Sequence, residues 1–344
     1  MCSNKNFDWT RTIRTNTLML HLVGLWPNSN ENYELNLYTI YAFISVVVIM
    51  GGNNFFQVMN IFFVYNDLEA LASTVFITIT YVQTSVKMCF FMQNIGLFKK
   101  LLRSLNGTEL EPKNEDQIEI VKPSLKFWKT VHAWFFSTAA VTTFTWSVIP
   151  LLSKSQCKQL PLAAWYPYNH TISPLYELTY LYQTVGVWYL AVANVHMDTL
   201  MVALMMYIAA QCDILCHNFR NFTNSNKKLH DVNRQIIDCV KLHRGILSFG
   251  QDSNKFFEMI IVLQFFTSTI ILASTMFQLT LVKPVSKEGL LRIMYATGMT
   301  TQIFMYCWFG NEVEVKLRKT FFGLGRVKFE KGFDVLSTFV RSRK

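Results

Sequence analysis

The chain has 344 residues, of which 51% are apolar and only 16% are charged, and its formal net charge is +10. A composition this apolar is typical of a protein whose solvent is largely lipid rather than water. The basic residues lie between apolar runs and not along one solvated face, which argues against a nucleic acid partner and makes membrane topology the better explanation of the charge.

The first predicted element is a short helix within the N-terminal segment 1–34. Basic residues precede an apolar run at 17–26, which faintly imitates a signal peptide. However, His21 interrupts the run and no small-residue cleavage site follows it. We therefore expect a cytosolic helix that lies on the membrane surface.

Six stretches are free of charge and long enough to cross a membrane, since a helix needs roughly 20 mostly apolar residues to do so. They cover residues 35–66, 70–86, 130–153, 178–197, 259–282 and 293–311. Lys87 ends the second stretch, and its long stem is expected to carry the ammonium group to the interface. The fourth helix continues as an apolar pattern to Cys212. The fold class predicted for residues 35–311 is an all-α, six-span transmembrane helical bundle that interacts with the lipid bilayer.

Orientation follows from the Lys and Arg residues of the connections, which concentrate in the cytosol. Seven lie within 99–129, seven within 220–255 and nine from Lys316 onward, whereas the alternate connections hold few. The N-terminus is therefore predicted to be cytosolic. Residues 312–344 are predicted to form a basic, divergent cytosolic tail, because they contain no seventh charge-free run long enough to span.

One glycosylation sequon lies on the predicted outer side. This is Asn169-His170-Thr171, whereas the sequons at Asn106 and Asn221 fall on the cytosolic side. Asn169 is therefore the candidate N-glycosylation site.

The fourth connection is predicted to be helical, because its apolar residues recur at spacings of three and four. They are Leu229, Val232, Ile236, Val240, His243 and Leu247. Their stripe needs a partner, and the projecting end of the fourth helix, 204–219, is the nearest candidate. The alternative is an unpaired helix on the bilayer surface. The sequence thus predicts helical cytosolic extensions around residues 204–256.

Motifs for catalysis and for cofactors are almost absent. No Ser-His-Asp or paired-carboxylate pattern stands out, so we expect no catalytic residue and no enzyme. Cys212, Cys216 and His217 could suggest a metal, but tetrahedral zinc takes four ligands, and a cysteine pair one turn apart more often packs. We expect no metal and no cofactor.

A small-molecule pocket is suggested by intramembrane polar and aromatic residues. The second, third and fourth predicted spans carry aromatic rings and a few hydroxyls at similar depth in their outer halves. Such a mixture is typical of a pocket for a small apolar ligand. Ordinary interhelical packing, in which Thr and aromatic residues are common, is the alternative.

Three regions of the sequence resemble insect odorant receptors. Residues 161–167 (PLAAWYP) with 173–183 (SPLYELTYLYQ) resemble their second outer loop and fourth-helix entry. Leu247-Ser248-Phe249, with 256–257 and 264–265, resembles their entry to helix five. Residues 306–313 (YCWFGNEV) resemble the end of helix six, and the likeness runs from the N-terminus to about Lys316.

The resemblance implies a heteromeric, ligand-gated cation channel in the plasma membrane of olfactory sensory neurons. The variable subunit would bind a small volatile odorant, and the shared co-receptor subunit would complete the pore. Members of the family carry a seventh span after the Gly-Asn signature, so a chain truncated at its pore helix is expected. A gustatory-type chemoreceptor and a membrane transporter are the alternatives. On the odorant-receptor interpretation, the expected ligand-binding residues are Phe76, Tyr81, Thr142, Trp146, Thr184 and Val187.

Overall fold

The computed structural model describes residues 9–27, 33–105, 110, 112, 114–152, 159–223, 229–282 and 286–330. Every regular element in these ranges is helical, which confirms the all-α prediction. A 3₁₀ turn at Trp9–Arg11 and a π-helical segment at Val46–Gly51 accompany nine α-helices in the described residues. They are α1 (Arg14–Leu22), α2 (Leu37–Ser45), α3 (Gly52–Val64), α4 (Leu68–Gln93), α5 (Ile95–Leu105), α6 (Glu115–Leu152), α7 (Leu175–Thr223), α8 (Leu229–Leu281) and α9 (Lys287–Glu330).

Among the described residues, five helical stretches are long and apolar enough to cross a membrane. They are Leu37–Val64, Leu68–Gln93, Glu115–Leu152, Leu175–Arg220 and Arg234–Leu281, and each overlaps one of the first five predicted spans. The sixth predicted span, 293–311, lies within α9, which is long enough but carries several Thr, Gln and Gly residues in that stretch. A sixth crossing by α9 stays a prediction.

Large apolar side chains remain exposed on the outer faces of several of these helices. Examples are Phe62 on α3, Phe144 on α6 and Phe266 on α8, each at least 60% exposed. Exposed apolar surface on this scale marks a surface that water does not cover. Together with the five apolar helices, this exposed apolar surface is that of a multi-pass membrane protein.

The first crossing helix contains a π-helical segment between α2 and α3. A π turn leaves backbone carbonyls poorly paired, and here the hydroxyl of Tyr182 on α7 donates to the carbonyl of Val48 at 2.7 Å. Asp67 then separates α3 from α4, because its side chain accepts hydrogen bonds from the amides of Glu69 and Ala70 and so caps the start of α4. The result is a helical hairpin held against α7.

Helix α7 is the centre of the bundle. In its most apolar stretch 89% of the residues are buried, whereas the corresponding shares in the other four candidate spans lie between 22% and 44%. Helix α3 approaches α7 closely at Gly186, since a Cβ there would lie 2.5 Å from the side-chain nitrogen of Asn53 and would force the Asn53 side chain to move. Helix α7 is therefore the most buried of the five candidate spans.

The N-terminal helix α1 packs against α7, a contact that the sequence did not predict. Asn16 donates to the hydroxyl of Thr199 at 2.6 Å, and the ring of Trp9 meets that of Tyr207 edge to face at 5.1 Å. The opposite face of α1 exposes Leu18 and Leu22. One face of α1 is therefore part of the protein core, and its opposite face is exposed.

The predicted helix of the fourth connection exists, but it is continuous with the fifth span as α8. Its buried face also differs from the predicted one: Cys239, Leu242, Ile246 and Phe249 are buried, whereas Leu247 is 43% exposed. The predicted spacing of the buried residues is correct, but the buried positions lie one residue earlier in the chain than predicted. The reason is that spacing fixes the period of an amphipathic helix, whereas the neighbouring α7 and α9 decide which face is covered.

Helix α9 runs without a break through Glu312, where the sequence suggested that a tail begins. Its far part is tied to α7, because the ammonium group of Lys316 lies 2.7 Å from a carboxylate oxygen of Asp213. Residues 331–344 of the predicted tail lie outside the described residues.

A buried ion pair joins α4 to α7 in the middle of the bundle. The ammonium group of Lys87 lies 2.8 Å from a carboxylate oxygen of Asp198, and both side chains are 0% exposed. The prediction that Lys87 reaches the membrane interface is therefore wrong. The physical reason is that a charge within lipid is costly unless it is paired, and Asp198, which directly follows the charge-free stretch 178–197 of α7, offers that pairing.

Further hydrogen bonds complete the surroundings of this pair. Lys87 also donates to the side-chain oxygen of Asn194 at 3.0 Å, and Tyr306 of α9 donates to Asp198 at 2.8 Å. Gln302 of α9 donates to the other carboxylate oxygen of Asp198 and accepts from Gln264 of α8 at 2.9 Å. Four helices, α4, α7, α8 and α9, thus meet in one polar network.

We predict that Lys87→Met destabilises the protein by about 3–5 kcal/mol, because it leaves the carboxylate of Asp198 buried without its countercharge. The measurement is thermal or denaturant unfolding of the purified chain in detergent. The double substitution Lys87→Met with Asp198→Leu removes both charges and is expected to recover most of the loss. Equal destabilisation by the single and double variants would contradict a stabilising role for the pairing.

Candidate functional site

A cavity of about 120 Å³ lies between α4, α6, α7 and α9. Almost all of its lining is apolar, with side chains from each of the four helices and from the loop before α7. An engineered cavity of about 150 Å³ in another protein holds a benzene molecule, so this space has the size of a single small ring. The lining residues include Ile77, Phe135, Ala139, Leu190, Ala191, Val195, Met294 and Met299.

One wall of the cavity is aromatic. Trp146 of α6 and Tyr295 of α9 line it, with their rings perpendicular at 5.9 Å. Phe76 of α4 contacts both from behind, at 6.1 Å from Trp146 and 5.3 Å from Tyr295. The hydroxyl of Tyr295 also bonds to Thr80, so packing and hydrogen bonding together fix the position of this wall.

The loop of residues 159–174, here called the cap loop, covers one end of the cavity, here called the capped end. Leu162 of this loop lines the cavity and is buried. Gln183 of α7 holds it with both halves of its side-chain amide, accepting from the Leu162 amide at 2.9 Å and donating to the Leu162 carbonyl at 3.1 Å. The indole of Trp146 donates to the carbonyl of Pro161 at 2.9 Å. The cap loop is therefore attached to two of the helices that form the cavity.

Two further residues, Trp165 and Tyr166, hold the cap loop. The amide of Trp165 donates to the carbonyl of Phe56 at 3.1 Å, and its ring stacks on Phe63 at 5.3 Å. Tyr166 accepts a hydrogen bond from Gln183 at 3.0 Å. Burial raises the pKa of Tyr166 to about 12, so its hydroxyl stays neutral at physiological pH.

The opposite end of the cavity is polar. Asn194 of α7 and Gln302 of α9 both line it, and both belong to the network around Lys87 and Asp198. The cavity thus has an apolar body, an aromatic side and one polar end. A few placed polar groups in an apolar space are typical of small-molecule sites.

The structure brings four of the six predicted ligand-binding residues to this cavity. Tyr81, Thr142, Trp146 and Val187 are part of the lining. Phe76 lies one layer behind, against Trp146 and Tyr295. Thr184 lies outside the lining, one turn before Val187 on the same helix. Contact of any of the six with a ligand stays a prediction.

Sequence reasoning missed the whole contribution of α9. Met294, Tyr295, Gly298, Met299 and Gln302 line the cavity, although only the second, third and fourth spans were expected to do so. It also missed Asn194. The sequence did offer a signal for Asn194, namely its polarity, because an Asn within a membrane span needs a partner or a cavity. The position of α9 beside α7 could not be read from spacing.

The glycosylation and metal predictions concern other parts of the chain. Asn169 is exposed in the cap loop, and the hydroxyl of Thr171 donates to its side-chain oxygen at 2.7 Å. Asn106 and the side chain of Asn221 lie outside the described residues. Within the part of the chain that the structure describes, no group of three His, Cys, Asp or Glu residues could hold a metal ion.

The chain is similar in sequence to known odorant receptors. The chain is 27% identical over 325 residues to odorant receptor Or1 of Anopheles gambiae, covering 86% of this chain and 76% of that one. It is 22% identical over 302 residues to odorant receptor 46a, isoform A, of Drosophila melanogaster, covering 86% and 77%.

Solved structures of the olfactory receptor OR5 from Machilis hrabei share the fold. The TM-score is 0.77 at 18% identity, over 91% of this chain and 83% of that one. A structure of OR5 in complex with eugenol gives a TM-score of 0.76 at 17% identity, over 90% and 82%. The family described as 7tm Odorant receptor matches residues 67–319. Because that match covers most of the chain, the protein belongs to the 7tm odorant receptor family and is a receptor rather than an enzyme.

Proposed function

We propose that this chain is an odorant receptor subunit that binds a small, apolar volatile in the cavity between α4, α6, α7 and α9. The observation that carries the proposal is the cavity itself: its lining is almost wholly apolar, it holds about 120 Å³, and it lies under the cap loop. Transfer of an apolar molecule from water into such a space is favourable without any charged contact. Family membership and the eugenol complex of a relative with the same fold support the proposal.

The size of the cavity bounds the ligand. A space slightly smaller than one that holds benzene favours a compact ring or a short branched chain, and larger molecules require the lining to move. Met294 and Met299 are the lining residues best able to move, because their unbranched side chains adapt to different shapes. The aromatic wall is more rigid and therefore selects by shape.

The assembly belongs to the same proposal. The receptor acts with the shared co-receptor subunit, and together they gate a cation channel in the plasma membrane of olfactory sensory neurons. The N-terminus faces the cytosol, so the cap loop and the nearby end of the cavity face outward, where an odorant arrives. The distribution of Lys and Arg supports this orientation.

We predict that Val187→Phe abolishes ligand binding, because the added ring fills the space that the ligand needs. The expected loss of affinity is at least about tenfold. Binding is measured on the purified chain with a panel of small volatile ketones, esters and aromatics. Odour-evoked current is measured in cells that also express the co-receptor.

Val185→Phe is the matched control. Val185 lies on the same helix, half a turn away, is 44% exposed and does not line the cavity. It is expected to leave binding unchanged. If both variants bind the volatiles as tightly as the unmodified chain, the ligand does not occupy this cavity.

We also predict that Asn169 carries an N-linked glycan when the chain is made in insect cells, because the sequon is exposed and lies on the proposed outer side. Asn169→Gln is expected to abolish the mobility shift that glycosidase treatment causes. Thr171→Ala removes the same sequon and serves as a second variant. A glycan that persists in both variants would place another part of the chain outside and would contradict the proposed orientation.

A further inference from the structure

We propose that the cavity selects volatiles that carry a hydrogen-bond-accepting oxygen, such as a ketone or an ether, and that the side-chain amide of Asn194 binds this oxygen. The inference rests on the proposed function and adds the chemical class of the ligand. It follows from the way in which Lys87 fixes the orientation of the Asn194 amide.

The orientation of that amide is decided by its neighbour. An ammonium group has three N–H donors and no acceptor, so it can bond only to the oxygen of a side-chain amide. The ammonium group of Lys87 lies 3.0 Å from the Asn194 oxygen. If the Asn194 amide were rotated by half a turn, its NH₂ group would face the ammonium group of Lys87, and two donors would meet beside a buried positive charge. The nitrogen of Asn194 must therefore point away from Lys87.

The Asn194 nitrogen is left as a donor at the cavity. Among the described residues, no acceptor takes a hydrogen bond from this nitrogen. The nitrogen is nevertheless not fully buried. Its neighbours Ala193 and Val195 are buried, whereas Asn194 itself is only partly buried because it lines the cavity. The nitrogen thus retains accessible surface, and the cavity is where that surface lies.

The other polar groups around the cavity do not compete for this role. The Gln302 amide is engaged with Asp198 and Gln264, and the hydroxyl of Thr142 donates to the carbonyl of Thr138 at 2.8 Å. The hydroxyl of Tyr81 has no accessible surface. Thr143 also lines the cavity, but a hydroxyl rotates and can donate or accept, so it sets no preference between the two.

A directed donor in an apolar space discriminates between ligands of equal shape. A ligand that offers an oxygen satisfies the donor, whereas a hydrocarbon leaves it unpaired once water is displaced. The preferred ligand is therefore a compact apolar body with an acceptor oxygen at one end. That oxygen points toward the polar network, and the body lies against Trp146 and Tyr295.

The test compares cyclohexanone with methylenecyclohexane, which have the same shape but carry an oxygen or a CH₂ group at the same place. Each is titrated against the purified full-length chain in lipid nanodiscs, and the concentration dependence of thermal stabilisation gives its affinity. The quantity compared is the ratio of the two affinities. Partition into lipid is the same for every variant, so it cancels when the ratios of two variants are compared.

Two substitutions of Asn194 carry the prediction. Asn194→Leu removes the donor and keeps similar bulk, and it is expected to lower the preference for cyclohexanone roughly three- to tenfold. Asn194→Asp keeps an oxygen facing Lys87 but replaces the donor by an acceptor. It is expected to shift preference from cyclohexanone to cyclohexanol, which can donate. A loss of fold alone would not produce this reversal.

Asn254→Leu is the matched control, because Asn254 is exposed on α8, away from the cavity. It is expected to leave the preference for cyclohexanone unchanged. If Asn194→Leu keeps the same preference for cyclohexanone, the inference is wrong. That result would not contradict ligand binding in the cavity. If neither compound stabilises the unmodified chain, the cavity is not a site for small rings, and the proposed function falls with the inference.

Discussion

The structure depends on the pairing of Lys87 with Asp198 in the middle of the bundle. Neither charge can remain within the membrane alone, so α4 and α7 are held at the distance that brings them to 2.8 Å. Gln302 and Tyr306 then bring α9 to the same point, because the remaining lone pairs of the carboxylate also need donors. The polar end of the cavity borders this network.

The capped end of the cavity is built on a different principle. Here, backbone groups of the cap loop that would otherwise lack partners are satisfied by side chains of the bundle, chiefly Gln183 and Trp146. The same tryptophan lines the cavity, so the roof and the wall share a residue. Ionic contacts hold the polar end and neutral hydrogen bonds hold the capped end, and the space between the two ends is apolar.

The central position of α7 connects the cavity with the far end of the molecule. Val187, Leu190 and Asn194 of α7 face the cavity, and Asp213 of the same helix binds Lys316 of α9. Met299 of α9 lines the cavity about 25 Å along the helix from Lys316, at 1.5 Å per residue. Two continuous helices therefore run from the proposed ligand to the opposite end and are joined at both places.

The amino-acid sequence by itself determined the all-α class, the positions of five long apolar helices and the family. Charge-free length and helical spacing are local properties, and the motifs around Trp165 and Tyr306 are contiguous in the chain. Four of the six predicted ligand-binding residues line the cavity for the same reason, since depth and helix face follow from position within a span.

The tertiary structure alone decided which faces meet. The pairing of Lys87 with Asp198 joins residues 111 positions apart, and no spacing rule relates them. The phase of the α8 stripe, the packing of α1 on α7 and the contribution of α9 to the cavity likewise depend on the neighbouring helix. A sequence pattern fixes the period of a helix and its apolar face to within one residue, whereas the free donor of Asn194 exists only because a distant lysine takes its oxygen.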